Sequence, residues 1–116
     1  MMLDWTGYRE QVLTTVTNLA RMTPDTVRGY RQLSDAGNKK DLLGAKTREL
    51  IALAVAVTRQ CDGCITIHVN AALKQGATRD EIAEALGVAI AVNAGAALVY
   101  STRVLDACEA TAPAAG

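Results

Sequence analysis

From Ala85 to Thr102 the chain carries no charged residue, and most positions are Ala, Val, Leu, Ile or Gly. A stretch of this kind must be covered by something: a fold's own core, another subunit, or a bilayer. Its length is near the lower limit of about 18 residues for a membrane span, and Asn93 and Gly95 interrupt its middle. Helices buried at a subunit interface explain it better, so the expectation is a homo-oligomer with no membrane partner. The small residues of this stretch let helices approach closely. A chain this short also buries only a modest share of its surface alone, and Val88, Ile90, Val92, Leu98 and Val99 exceed what one small core needs.

The remaining composition narrows the class. The chain has 116 residues, the commonest domain size, so one domain over 1–116 is expected. Half of the residues are apolar, which argues against disorder. Twelve basic residues balance twelve acidic ones, and there is no Phe. A nucleic-acid partner is therefore not expected, because such proteins carry a basic surplus and often aromatic stacking platforms. The first residues, Met1-Met2-Leu3-Asp4-Trp5, show no basic segment followed by an apolar one, so the expected address is cytoplasmic. Three cysteines in that compartment do not read as a disulfide framework.

Punctuation along the chain predicts an all-α protein of about six helices. Asp4 caps a first helix bearing Tyr8, Val12, Val16 and Leu19 on one stripe. Thr23-Pro24-Asp25 supplies a hydroxyl cap, a proline at the first helical position and an acid at the positive end of the dipole. This second helix should stop at Gly37-Asn38, leaving Asn38 to Asp41 as a solvated loop. A third helix runs from about Ala45 to Arg59 and is apolar nearly all round, which implies burial on most sides. A fourth runs from Cys61 or Asp62 to Gln75, closed by Gly76. Thr78 and Glu81 form a capping box that opens a fifth. Asn93-Ala94-Gly95 should break that helix before a sixth through Tyr100, Val104 and Cys108. The tail from Thr111 to Gly116 should fray. No strand pattern and no internal repeat stand out.

One segment carries chemistry: Cys61-Asp62-Gly63-Cys64-Ile65-Thr66-Ile67-His68. C-x-x-C at a helix start lets two sulfurs meet across one turn, and the free N–H groups there favour a thiolate. His68 lies four residues beyond Cys64, on the same helix face, and can take or return a thiol proton. If the third and fourth helices form an antiparallel hairpin, Glu49 falls near the level of Cys64 and His68. A carboxylate among Leu50, Ile51 and Leu53 needs a partner, and His68 is the expected one. Other readings stand beside this. Cys61, Cys64 and His68 could bind zinc in a non-catalytic oligomeric scaffold, with only the distant Cys108 as a further soft ligand. The cysteines could be inert core residues, His68 a satisfied core histidine, and Glu49 a solvated first-turn residue. Cys108 has no neighbour in sequence that would activate it.

The run from Lys46-Thr47-Arg48-Glu49 through C-x-x-C-x-x-x-H to Gly76-Ala77-Thr78 and Glu81-Ile82 resembles the carboxymuconolactone decarboxylase superfamily, within it the AhpD-like alkylhydroperoxidase branch. The resemblance covers roughly residues 40–105. It implies an all-helical subunit that assembles as a homotrimer or homohexamer. It also implies a thiol-dependent peroxidase, with no cofactor and no metal. In that chemistry Cys64 attacks the distal oxygen of an organic hydroperoxide, Cys61 condenses with the resulting sulfenic acid, and His68 and Glu49 relay the proton. A dithiol or protein reductant would restore the thiols. Some AhpD proteins carry a second His just before the second Cys, where this chain has Gly63. The alternative within the superfamily is a lactone decarboxylase using Glu49 and His68 as acid and base.

Overall fold

The computed structural model describes residues 1–111, and they form five helices with no strand. These are α1 (Trp5–Met22), α2 (Pro24–Lys40), α3 (Ala45–Thr58), α4 (Asp62–Lys74) and α5 (Arg79–Thr111). The residues beyond Thr111, where the frayed tail was expected, lie outside the described ones.

Several local signals act as their chemistry dictates. The Asp4 carboxylate accepts the Gly7 N–H at 3.2 Å and starts α1. Gly76 follows α4 with φ of +84°, a conformation that costs a glycine nothing. The capping box is closed in both directions: Thr78 N–H donates to Glu81 Oε1 at 2.9 Å, and Glu81 N–H donates to Thr78 Oγ1 at 3.0 Å. The other Glu81 oxygen takes the Lys46 ammonium at 2.7 Å, which fastens the start of α5 to the start of α3.

Three local features differ from the sequence expectation, the first two through contacts more distant in sequence. First, α5 runs unbroken through Asn93 and Gly95. The Asn93 amide donates to the Ala89 carbonyl one turn back and to Thr58 Oγ1 of α3, each at 2.8 Å, so it binds two helices together. Second, α2 continues through Gly37 and Asn38 to Lys40, and Asp41 takes the left-handed cap with φ of 50°. Gly37 is small because Arg48 crosses it: a Cβ there would lie 2.9 Å from Arg48 Cδ. The Arg48 guanidinium holds Asp41 at 2.6 Å and Asn38 at 3.0 Å. Third, the Thr23 hydroxyl bonds Thr26 Oγ1 at 2.8 Å instead of capping a backbone N–H of α2.

The core is small and made where α3, α4 and the start of α5 converge. Leu53, Ala72 and Ala77 are buried there, with Leu50, Val69 and Ile82 packed around them. The α1–α2 hairpin joins through α1 lying on α4. Burial of α3 on most sides does not hold within one chain: Leu53 and Ala56 are covered, but Ile51 and Val55 are about half exposed. Most of α5 is bare too, including Ile90, Val92, Leu98, Val99, Tyr100, Val104 and Leu105, each roughly two-thirds exposed or more. The radius of gyration is 19.7 Å, against about 13 Å for a compact chain of this length. The chain is thus an elongated body of 63 × 38 × 37 Å with an uncovered apolar flank. By length and composition α5 could cross a bilayer, although its Ala89 is buried against the rest of the chain.

Candidate active site

The turn from α3 to α4 builds the site. Gln60 adopts φ of 52°, and Cys61 N–H reaches back to the Ala56 carbonyl at 3.1 Å. That tight reversal makes α3 and α4 an antiparallel pair and leaves Cys61 as the N-cap of α4. Its sulfur accepts the Cys64 N–H at 3.2 Å, as a serine oxygen would at such a cap. Cys61 and Cys64 are joined in a disulfide with their Cα atoms 5.3 Å apart. Both are half-buried. The sulfurs therefore lie against the free N–H groups of α4, the end that stabilises a negative charge.

One turn further along α4, His68 Nδ1 lies 2.6 Å from Glu49 Oε2 of α3. The antiparallel reversal at Gln60 brings these residues level, as expected from the sequence. Both side chains are partly covered, at 30 % exposure for His68 and 24 % for Glu49. An ionised carboxylate only accepts, so Nδ1 carries the proton toward Glu49 and the Nε2 lone pair remains available. The carboxylate thereby orients the ring, fixes its tautomer and supports an imidazolium. Cys64 and His68 share a face of α4 one turn apart, while the hydrogen bond of His68 is to Glu49 and not to a sulfur. The arrangement can take a proton from one thiol of the reduced pair and hold the resulting charge.

Cys108 is exposed on the distal half of α5, remote in sequence from this cluster. Among the described residues no three His, Cys, Asp or Glu side chains converge as a metal site. At Gly63, a Cβ would touch the Val12 methyls of α1 at 3.6 and 3.7 Å, so α1 occupies the space into which a larger side chain would grow. The role of α1 was not legible in the sequence: the Thr66 hydroxyl, buried on α4, donates to the Trp5 carbonyl at 3.1 Å and moors α1 against α4.

The fold and site define a class: an all-helical protein with a redox-capable cysteine pair capping one helix and a His–Glu pair one turn below. The chain belongs to the carboxymuconolactone decarboxylase family, whose model matches residues 24–107. Relatives include an uncharacterized protein of Haemophilus influenzae, 46 % identical over 92 % of this chain and 95 % of its own length. Another, from Cupriavidus necator, is 32 % identical over 75 % of this chain and 77 % of its own. The crystal structure of apo-lpg0406, a carboxymuconolactone decarboxylase family protein from Legionella pneumophila, superposes with a TM-score of 0.73. It is 34 % identical and covers 94 % of this chain and 97 % of that one.

Proposed function

We propose that the protein is an AhpD-like thiol peroxidase that reduces organic hydroperoxides through Cys61 and Cys64. The observation that carries this reading is the cysteine pair at the N-terminus of α4, bonded to itself, with His68 and Glu49 paired one turn away. Lactone decarboxylation needs no such pair.

In the reduced protein His68 Nε2 takes the Cys64 proton. The thiolate attacks the distal oxygen of ROOH and breaks the O–O bond; the alkoxide leaves and takes up a proton to give ROH. Cys64 becomes a sulfenic acid. The Cys61 thiolate then displaces hydroxide from the Cys64 sulfur, which leaves as water, and the disulfide forms. Two electrons have passed from the dithiol to the peroxide, and an external dithiol or dithiol protein returns them by thiol–disulfide exchange. Attack is assigned to Cys64 because it shares a helix face with His68. Cys61, at the cap, is positioned to resolve. The cycle requires a reducing compartment, which supports a cytoplasmic setting.

The bare flank of α5 and the exposed Ile51 and Val55 of α3 support assembly of this chain with its own copies, as a trimer or hexamer. The test of function is consumption of an organic hydroperoxide with a dithiol donor. Wild type turns over and Cys64→Ser does not. Unchanged thiol content after one equivalent of peroxide, with stoichiometric zinc in the purified protein, would replace the proposal with the metal-binding scaffold. Unchanged thiols without zinc would turn attention to a lyase.

A further inference from the structure

A cleft lies on the side of α4 away from Cys64 and His68, between that helix and the start of α1. Trp5, Arg9, Ile65, Thr66, Val69, Asn70 and Leu73 line it, and it encloses about 240 Å³. Trp5 and Arg9 are one turn apart on α1, and the α4 residues share a single face, so the cleft is the seam between two helices. The hydrogen bond from Thr66 to the Trp5 carbonyl fixes one end of that seam, and Val12 over Gly63 marks the other. The walls are mostly aliphatic or aromatic. Two of the lining residues, Arg9 and Asn70, carry polar side chains able to donate hydrogen bonds.

Among the described residues these two side chains have no partner: Arg9 forms no ion pair, and neither side chain makes a hydrogen bond within the chain. Asp4, the carboxylate nearest to Trp5 in sequence, is engaged in capping α1 at Gly7. Arg9 is nevertheless partly covered, not extended into solvent. An arginine that is partly covered and, among the described residues, unpaired beside an apolar cleft is complementary to one ligand chemistry: a carboxylate on a short apolar tail. The guanidinium fork pairs two carboxylate oxygens, the Asn70 amide can donate a further bond, and the tail lies against Trp5, Ile65, Val69 and Leu73. The volume falls below the roughly 300–1,000 Å³ of sites for drug-sized ligands, so the tail is short.

We propose that this cleft is a binding site for aliphatic carboxylates up to medium-chain length, held by Arg9 and Asn70. The assignment does not depend on the thiol chemistry, because its test needs no turnover. Trp5 is the only tryptophan in the chain and forms part of the wall, so its fluorescence reports occupancy. The full-length protein is titrated with sodium octanoate, 1-octanol and octylammonium chloride, all below micelle-forming concentrations and at constant ionic strength. Octanoate should produce a saturable change in Trp5 emission, with an affinity about tenfold above that of octanol, the scale of a partly exposed charge-assisted pair. Octylammonium should bind least. Arg9→Gln should bring octanoate down to the level of octanol, and Asn70→Leu should reduce it less. Arg9→Lys, which keeps the charge but loses the fork, should fall between, and its native circular dichroism would show that the fold is intact. Octanol binding as tightly as octanoate, undiminished octanoate binding by Arg9→Gln, or no saturable response in the wild type would each overturn the assignment.

Discussion

Replacing Glu49 with glutamine tests the proton relay with little disturbance to the fold. The amide nearly matches the carboxyl group in shape and can still accept from His68 Nδ1, but it no longer offsets an imidazolium. The contact at stake is short, 2.6 Å, and three-quarters covered on the Glu49 side. Hydrogen bonds to charged groups contribute about 1.5–3 kcal/mol. Partial exposure of both partners argues for the lower half of that range, and glutamine keeps a neutral bond worth about 1 kcal/mol. The net loss is then roughly 1 kcal/mol in support of the imidazolium, or about a fivefold lower population of the thiolate–imidazolium state. The assay is the rate of Cys64 alkylation by iodoacetamide in reduced protein carrying Cys61→Ser, a change that leaves an oxygen at the α4 cap. Near neutral pH, Glu49→Gln should slow alkylation about fivefold, and His68→Ala should slow it at least as much. The difference should vanish above about pH 9.5, where an ordinary thiol ionises without help. Because the two residues act as one unit, the double change should cost less than the sum of the single ones. Fully additive losses, or a gap that persists at high pH, would refute the coupling of Glu49 to Cys64 through His68.

Four further outcomes follow from the same structure. After one equivalent of hydroperoxide, Cys61→Ser should hold a sulfenic acid on Cys64 that a dimedone-type reagent traps, whereas Cys64→Ser should yield none; the reverse pattern would exchange the two roles. Leu53→Ala removes the largest buried side chain of the small core, where exposure is 3 %, and should cost about 2–4 kcal/mol in chemical denaturation. The hydrogen bond from Lys46, aided by the Thr78 N–H, holds the Glu81 carboxyl below its ordinary value of 4.5. Its contribution to stability is therefore present above that value and lost as pH falls through the lower, folded one; Glu81→Gln should flatten this part of the acid denaturation profile, and an unchanged profile would dismiss the pair. Val92→Asp places a charge on the bare flank of α5, and sedimentation should show smaller species than for wild type if that flank is the subunit interface.

How much of this could be read from the sequence depends on the range of each interaction. The capping box at Thr78 and the glycine after α4 involve neighbours three residues apart or fewer, and both are where the pattern put them. The Glu49–His68 pair was accessible as well, because a tight link between two helices leaves few registers and a carboxylate among aliphatic residues needs a partner. The continuity of α5 was not. Asn93 and Gly95 look like a break until Thr58, 35 residues earlier, supplies a partner for the asparagine amide. Gly37 misled for the same reason: it signals a stop in sequence, but its small size serves the passage of Arg48. The cleft at Arg9 had no signal at all, since it lies between α1 and α4, which meet across some 61 residues through contacts such as that of Thr66 with the Trp5 carbonyl.

Whether Cys61 and Cys64 form the proposed catalytic redox pair is decided by thiol stoichiometry. Fully reduced protein is mixed with one equivalent of an organic hydroperoxide, and free thiols and the alcohol product are counted together. Two thiols per chain should be lost, located by mass spectrometry to the Cys61–Cys64 bridge, with one alcohol formed, and both thiols should return on adding a dithiol. Peroxide left intact while both thiols remain free would contradict the proposal.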